Sequence, residues 1–481
     1  MIMKRWLKRG VVAGFVGLIL MIGLVMWIRS SRISRGMEEL NAAIAETEAV
    51  EPKWRWDDLE AIRYRNIPPE QNIAEILLQL DAAERALPPG DYQPFNAIDL
   101  ALRDVSEKPN VRMLDDDAKV VRYMWTQLGP MVELFDQLKD CKDGYLPLTI
   151  TPDWVSTLMP HVQKYRTAFM MCRIQTWLAL HDGKMQEAGE MLRRQMTLVA
   201  SMGDQPSLIG QLVRIAGGAI SRADLERILG QGEVPEPLLA ELQTMFEAES
   251  RYPFFTVGIR GERAGCHHLM TNLHNGSLTT GVVMGGGTAG MMERFQNWRQ
   301  KQHMPKNHAF MIRFYNRCIE IGKLPSWEQV EAMKSITMPP QESEWVFAGL
   351  LLPASEKIHQ AEMRQESWLK CASVAIACER YRMKHKRWPT NVSELVPEFC
   401  ESVPLDTYTG KPLMLRVVKE GLLVYSTGPD LVDDNGTLWK SGSTFEKGLD
   451  YGFRLWNLDQ RGLPAKERPP EMLEMMPMEI E

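Results

Sequence analysis

The residues with the clearest capacity for chemistry form an acidic segment near the C-terminus. Asp430, Asp433 and Asp434 place three carboxylates within five residues, and the pair Asn435-Gly436 follows them. Carboxylates this close repel one another unless a cation lies between them. A flexible, oxygen-rich loop suits calcium better than magnesium, because calcium accepts about six to eight oxygen ligands without strict octahedral geometry. We therefore predict a calcium site formed by Asp430, Asp433, Asp434 and Asp450.

The acidic segment does not follow the EF-hand pattern. Aligning Gly436 with the invariant glycine of that loop puts Leu431 at the first ligand position and Gly442 where glutamate is required. The competing interpretation is a solvated turn rich in Asp, Asn and Gly, which is common on protein surfaces. Extracellular calcium modules bind the ion with a Kd of about 0.1–1 mM, so the calcium prediction requires this segment to lie outside the cytoplasm.

A second group of metal-ligating residue types consists of Cys266, His267, His268 and His274. These types could hold zinc. In a helix, however, the adjacent His267 and His268 point to different faces, whereas His267 and His274 share one. No CxxC or HExxH motif accompanies them. The sequence therefore favours the interpretation that these four residues are partly buried on a helix and do not hold zinc.

The remaining motifs are weak. Gly285, Gly287 and Gly290 spell GxGxxG, but a dinucleotide site needs a strand before the motif and an acidic residue about twenty positions later. There is no GxSxG elbow, and the nine histidines are dispersed. The sequence nominates no catalytic residue and favours a non-enzymatic protein over an enzyme. Basic residues around Trp298 could rest on anionic lipid, although a solvated face is the simpler interpretation: Arg294, Arg299, Lys301 and Lys306.

The C-terminal part of the chain reads as a long helix followed by strands. The helix is predicted from about residue 355 to 386, and one apolar stripe along it must face a partner: Trp368, Cys371, Ala375, Cys378 and Tyr381. Two β-rich runs, 413–418 and 422–426, are separated by Lys419-Glu420-Gly421, which predicts a three-residue hairpin connection with a left-handed glycine. A third strand alternates from Leu449 to Leu455. A long helix packed on a small antiparallel sheet buries the apolar faces of both.

Four segments in this region carry a resemblance: ERYRMKHKRWPTNVSELVP, VPLDTYTGKPL, LLVYSTGPDLVDDNG and LDYGFRLW. In this order they resemble the soluble domain of type II secretion major pseudopilins, over about residues 370–456 of this chain. The resemblance implies a pseudopilin-like α+β module at 344–461 and a calcium site on Asp430 and Asp450. The combination with an anchored helical body also resembles a class of uncharacterised single-pass bacterial membrane proteins that carry this module C-terminally.

The resemblance stops short of the whole family pattern. The chain has no prepilin-type cleavage segment near Met1, and the helix of the module does not continue into a membrane anchor. Assembly into a pseudopilus is therefore not implied.

Residues 36–343 read as a large all-α body. Ala168 to Leu180, a turn at His181 to Lys184, and a second helix with an apolar face predict an αα-hairpin. Residues 179–198 resemble half of a tetratricopeptide repeat, but no second copy recurs at a fixed period, so a plain helical bundle remains the alternative. A further helix places Leu208, Leu212, Ile215 and Ala219 on one side. The Gly/Thr-rich stretch 275–290 is predicted to be a flexible loop, and 462–481 a disordered tail.

An N-terminal apolar run dominates the start of the chain. Val11 to Ile28 are 18 uncharged residues, which as a helix span about 27 Å, close to the hydrocarbon thickness of a bilayer. We predict a transmembrane anchor at 10–30 rather than a cleaved signal peptide, because no small-residue cleavage pattern follows. A narrow excess of positive charge precedes the span, which predicts a cytoplasmic segment 1–9 and an extracytoplasmic body.

The composition bounds the fold and function. A net charge of −6 without a concentrated basic region argues against nucleic-acid binding, and seven scattered cysteines do not form a disulfide framework. The prediction is an α+β chain, anchored in the bacterial envelope by one helix, that acts as a non-enzymatic scaffold for protein partners with a calcium-stabilised module. Two alternatives stay open: an accessory component of a type II secretion or pilus-like assembly, and an extracytoplasmic hydrolase.

Overall fold

The computed structural model describes residues 2–87, 108–279, 281, 298–340, 342–352, 355–438 and 449–465, with side chains from residue 12 onward. These residues form a mostly helical protein with one small antiparallel sheet, which confirms the α+β class. Residues 282–297, which include the GxGxxG glycines and Arg294, lie outside the described residues. Most of the predicted tail also lies outside them.

The described helices run from an exposed N-terminal rod to a buried C-terminal helix. They are α1 Ile2–Val50, α2 Trp56–Arg63, α3 Ile73–Arg85, α4 Asp115–Gln127, α5 Pro130–Gln137, α6 Pro160–His181, α7 Met185–Ser201, α8 Leu208–Gln231, α9 Glu236–Ser250, α10 Phe254–Asn275, α11 Met304–Ile321, α12 Ser326–Lys334, α13 Val346–Leu351 and α14 Ser355–His385.

Helix α1 is long and apolar enough to cross a membrane. Its most apolar 18-residue window has a mean hydropathy of 2.2, and none of that window is buried against the protein. Leu20, for example, is 68 % exposed. A row of exposed large apolar side chains is unfavourable in water and favourable in lipid. The predicted N-terminal apolar helix is confirmed, and it runs without a break through residue 35 into the body.

The second half of α1 packs in parallel against α11. Gly36 lies against Pro305, and the Thr47 hydroxyl accepts a hydrogen bond of 2.8 Å from Asn316, an offset of 269 residues. Leu40 and Ala43 share a small apolar core with Ala309 and Ile312. The side chain of Arg313 forms a bidentate pair with Glu46 at 2.8 and 2.9 Å. The apolar rod is therefore continuous with a helix that belongs to the core of the body.

The predicted αα-hairpin is confirmed by α6 and α7. The turn between them contains Gly183 in the left-handed region at φ +73°. The predicted inner face of α7 is buried or half-buried against its neighbours: Met185, Ala188, Leu192, Met196 and Val199. Gly183 supplies the positive φ that an L-residue adopts only under strain, and so allows the tight reversal.

Helix α8 buries a different face from the one its apolar stripe suggests. Leu212 is 36 % exposed, and the neighbouring Ile209 is 53 % exposed. Val213 and Gly217 face the core instead, and a Cβ on Gly217 would lie 2.5 Å from the ring of Phe169. Helix α6 approaches α8 closely at Gly217. This contact, and not the apolar periodicity, decides which face of α8 is buried.

The C-terminal sheet is an antiparallel meander with strand order β1-β2-β3. The strands are β1 Met414–Val418, β2 Gly421–Ser426 and β3 Tyr451–Trp456. Val418 pairs with Gly421, so Lys419 and Glu420 alone connect the hairpin, and the predicted three-residue connection is wrong. Gly421 is the first residue of β2. A Cβ there would lie 2.0 Å from the Leu455 carbonyl oxygen, so glycine is required by the close approach of β3.

Helix α14 lies between the sheet and the helical body. Its predicted stripe is buried, and Cys371, Ala375 and Cys378 are each 0 % exposed. One continuous apolar core joins α14 to body residues such as Leu225 and Leu239 and to strand residues such as Phe453. The polypeptide after β3 also pairs with the body, because the Gly462 amide donates to the Gly230 carbonyl at 3.0 Å. The C-terminal elements therefore share a core with residues far earlier in the chain.

Candidate functional site

The acidic segment begins where β2 ends, and a buried carboxylate positions its first residue. Asp406 is 2 % exposed. It accepts hydrogen bonds from the backbone amides of Tyr408 at 2.6 Å and Thr427 at 3.2 Å. Thr427 is followed by the short 3-10 turn Gly428–Asp430. This arrangement ties the start of the acidic segment to the loop before β1.

The first two predicted ligands make local turns. The Asp430 carboxylate accepts from the Val432 amide at 3.1 Å, and the Asp433 carboxylate accepts from the Asn435 amide at 2.8 Å. Asp433 also accepts a hydrogen bond from the Tyr425 hydroxyl. Burial, with Asp433 as a further cause, raises the pKa of Tyr425 to about 12. Asx-type turns of this kind are the bonding pattern of the solvated-turn interpretation.

Asp450 is the centre of the acidic segment. It is 0 % exposed, and its two oxygens accept from the Gly436 amide at 2.7 Å and the Asp434 amide at 3.4 Å. Its own amide donates to the Thr437 carbonyl at 2.9 Å. Burial raises the pKa of Asp450 to about 6, and the charges of Asp433 and Asp434 act in the same direction. The structure thus brings Asp433, Asp434 and Asp450 into one electrostatic cluster.

One carboxylate oxygen in this cluster, on Asp434, has no hydrogen-bond donor. This Oδ2 atom is buried. A buried carboxylate oxygen without a donor is unfavourable, and a cation satisfies it as a hydrogen bond would. This oxygen is therefore open to a hydrogen-bond donor or to a cation such as calcium. Within the described residues, no group of three or more His, Cys, Asp or Glu side chains is arranged to hold a metal ion. Residues 439–448 of the same loop lie outside that description.

The Cys/His group at the end of α10 gains a histidine that its spacing did not nominate. His267 Nδ1 lies 3.0 Å from Nε2 of His308, which sits on α11, and the His274 ring is 5.7 Å from the His308 ring. Cys266 points elsewhere, with its Sγ 3.4 Å from the Tyr315 hydroxyl. Burial lowers the pKa of His267 to about 4 and that of His308 well below its usual value.

These histidines are therefore neutral at pH 7 and pack between helices. The pairing with His308 comes from the antiparallel crossing of α10 and α11. No sequence signal links positions so far apart on different helices.

A small cavity lies between α2 and α6. Arg63, His161, Tyr165 and Gln205 are among its lining residues, and it has room for about one water molecule. His161 is 3 % exposed and its Nδ1 has no partner. Burial, with the nearby Arg63 as a further cause, lowers the pKa of His161 to about 4. The cavity is too small for an organic substrate, and the hydrolase alternative stays a hypothesis.

The seven cysteines are all buried and free. Compared with known proteins, the chain matches no protein-family model, no curated protein and no solved structure.

Proposed function

We propose that this chain is a single-pass, membrane-anchored envelope protein whose helical body binds other proteins without catalysis, with a calcium-stabilised C-terminal module. The observation that carries the proposal is the continuity of α1. An apolar segment that buries nothing against the protein becomes, within the same helix, a segment that packs on α11. This geometry holds the body in a fixed orientation beside the bilayer, which is the requirement for a scaffold.

Support for a protein partner comes from the loop before α6. Val155 is 68 % exposed and Leu158 is 85 % exposed. The loop is nevertheless well held, because Ser156 donates to Asp153 at 2.6 Å and the Trp154 ring packs 4.8 Å from the Trp56 ring. Apolar side chains presented by an ordered loop bind a partner without a large loss of conformational entropy. The loop is the proposed contact surface of the body.

A photoreactive amino acid at Leu158 tests this surface. In intact cells we expect one discrete protein adduct, which Val155→Asp abolishes. The same probe at Glu331, whose side chain is 84 % exposed on α12, is the matched control and is expected to give no such adduct. Adducts with lipid alone, or an adduct that Val155→Asp leaves unchanged, contradict the proposed contact.

Membrane insertion and orientation are tested on the full chain. The protein is expected to resist carbonate extraction and to be recovered at full length with membranes. All seven native cysteines are buried, so Val50→Cys, at a position 71 % exposed, introduces one accessible thiol. A membrane-impermeant maleimide is expected to label that thiol in spheroplasts before lysis. Labelling only after lysis reverses the proposed orientation, and recovery in the soluble fraction refutes the anchor.

Calcium binding belongs to the same proposal. Asp433, Asp434 and Asp450 would hold the ion, with Asp430 at the start of the segment. The ion would supply positive charge to a cluster in which burial and mutual repulsion raise the pKa of Asp450. Its role would be structural, because it would join the residues after β2 to the residue before β3.

A second candidate is an accessory component of a type II secretion or pilus-like assembly. It is favoured by a long helix, α14, packed on a three-stranded antiparallel meander. Cysteine crosslinking between an exposed strand position, Val417, which is 55 % exposed on β1, and purified major pseudopilin tests it. Specific crosslinks would favour the assembly role over a general scaffold.

A further inference from the structure

The start of the segment that leads into α11 lies at the same level as the end of the apolar span. Trp298 is 39 % exposed, and the Arg29 guanidinium carbon is 4.3 Å from the centroid of its ring. Arg29 also donates a hydrogen bond to the Trp298 carbonyl. The separation of these residues is 269 positions, the same offset that relates Thr47 to Asn316. The parallel pairing of α1 with this segment therefore continues down to the first residue after Ile28.

Charge along the paired helices changes sign with distance from the span. Between Arg29 and Met37, α1 carries Arg29, Arg32 and Arg35 and no acidic residue. From residue 38 to 51 the ionised side chains are all glutamates. The partner segment 298–303 adds Arg299 and Lys301, again without an acidic residue. Positive charge is concentrated in the turns next to the span, and negative charge begins beyond them.

Helix α1 and the segment 298–303 together form a surface that we call the basic collar. Its residues are Arg29, Arg32, Arg35, Trp298, Arg299 and Lys301. Arg32, Arg35, Arg299 and Lys301 are exposed. Lys306 lies one turn further from the span and faces Glu344 at 3.9 Å, so it is not part of the collar. A helix rises about 1.5 Å per residue, which places Arg29 to Arg35 within roughly 10 Å of the end of the apolar run.

We propose that the basic collar binds the head groups of anionic phospholipids in the leaflet that faces the body. The proposal rests on the membrane anchoring proposed above. Tryptophan and arginine are the side chains enriched at the boundary between hydrocarbon and head groups. Several cationic side chains there attract acidic lipids, because the surface potential of an anionic leaflet acts within about a Debye length. Residues 298–301 belong to the body, so lipid bound by both helices holds the body against the membrane.

A lipid ligand is favoured over a protein ligand by position. The collar begins at the residue that follows the apolar span, at the depth of the head groups, where lipid is always at high local concentration. Its charge is uniform in sign, which matches a phosphate-rich surface. A merely solvated basic face would show no preference among lipids.

The experiment reconstitutes the full chain in vesicles of equal parts phosphatidylglycerol and phosphatidylcholine with matched acyl chains. Lipids that remain bound after detergent extraction are counted by native mass spectrometry. We expect the wild-type protein to retain phosphatidylglycerol over phosphatidylcholine by about threefold or more. Arg299→Gln/Lys301→Gln is expected to lower this ratio to near unity. Lys323→Gln/Lys334→Gln removes the same charge from exposed positions elsewhere and is expected to leave the ratio unchanged.

Other outcomes separate the two proposals. If the wild-type protein does not float with vesicles, the anchoring itself fails. If it floats but retains both lipids equally, only the collar proposal fails. If Arg32→Gln/Arg35→Gln lowers the ratio and Arg299→Gln/Lys301→Gln does not, the lipid binds the anchor alone and docking of the body is refuted. Circular dichroism of every variant shows whether the fold is retained.

Discussion

Arg461 and Glu379 form a bidentate ion pair in the interior of the protein. Two hydrogen bonds of 2.8 Å join the guanidinium to the carboxylate, and the two side chains are 2 % and 0 % exposed. Arg461 follows β3, and Glu379 lies near the end of α14. Arg461 also donates to the Gly232 carbonyl at 2.9 Å, at the end of α8. One side chain therefore connects the sheet, the long helix and the helical body.

Removing either partner of this pair is expected to destabilise the whole protein. Glu379→Ala leaves the buried Arg461 guanidinium without its carboxylate, which lowers the free energy of unfolding by about 3–5 kcal/mol. Arg461→Ala is expected to cost less, because Arg382 still pairs with Glu379 at 2.7 Å. Chemical denaturation measures the loss. Arg251→Ala is the matched control, because Arg251 pairs with Glu247 at 3.8 Å with 70 % of its side chain exposed, and its loss is expected to be under about 1 kcal/mol. Equal effects of the buried and exposed variants would contradict this account.

Calcium is expected to stabilise the full chain through Asp450. With a Kd of about 0.1–1 mM, roughly 5 mM calcium adds about 1–2 kcal/mol to the free energy of unfolding, measured as a rise in Tm. Asp450→Asn keeps one acceptor oxygen for the Gly436 amide but removes the charge, so the calcium-dependent rise should disappear. Asp459→Asn, at an exposed position after β3, should retain it. A rise that survives in Asp450→Asn, or that magnesium reproduces equally, would overturn the site.

Glu362 is expected to contribute a loss of stability as the pH rises from about 5 to about 8. Burial raises the pKa of this α14 carboxyl to about 8, and its carboxylate accepts from the Phe255 amide at 2.9 Å. The folded state binds a proton that the unfolded state releases near its ordinary pKa, so stability decreases as pH rises through this window.

The variant Glu362→Gln removes this titration. It is expected to be more stable than the wild type at pH 8.5 by ~2 kcal/mol and to show a flatter dependence of unfolding free energy on pH. Glu356→Gln, on the exposed first turn of the same helix, should leave the slope unchanged. A wild-type slope that persists in Glu362→Gln would show that another group titrates.

Gly261 is expected to tolerate no side chain. A Cβ at this position of α10 would lie 1.8 Å from the Pro206 carbonyl oxygen and 2.3 Å from its carbon, so backbone would have to move. Gly261→Ala should lower the free energy of unfolding by about 2–4 kcal/mol. Gly349→Ala, in α13 with no atom within 4 Å of its Cβ, should be neutral or stabilising by about 0.5–1 kcal/mol. Thermal denaturation of both variants makes the comparison, and equal Tm values would contradict it.

Local features of the sequence determined the elements of this protein. The apolar run from Val11 to Ile28 predicted the exposed N-terminal rod, and the alternation near Tyr451 predicted the third strand. The stripe from Trp368 to Tyr381 predicted a buried helix face. Each of these predictions rests on residues that are close together in the chain. The periodicity of a helix or a strand is therefore sufficient to make it.

Positions that depend on distant partners could not be predicted. Helix α8 exposes Leu212 and buries Arg214, whose guanidinium donates two hydrogen bonds of 2.8 Å to the Glu249 carboxylate on α9. Apolar periodicity contains no information about a charged partner on another helix. The connection of β1 to β2 was also misjudged, because Gly421 is required by the carbonyl of Leu455 on a strand that comes later in the chain.

The sequence by itself determined that this protein has an apolar rod, a helical body and an acidic segment rich in aspartate. The grouping of Asp450 with Asp433 and Asp434 was also predicted from the sequence. Only the tertiary structure decided that His308 joins His267 and that Trp298 lies beside Arg29. The physical reason is that side-chain chemistry and short-range periodicity are local properties, whereas a site is made by the packing of helices and strands that are far apart in the chain.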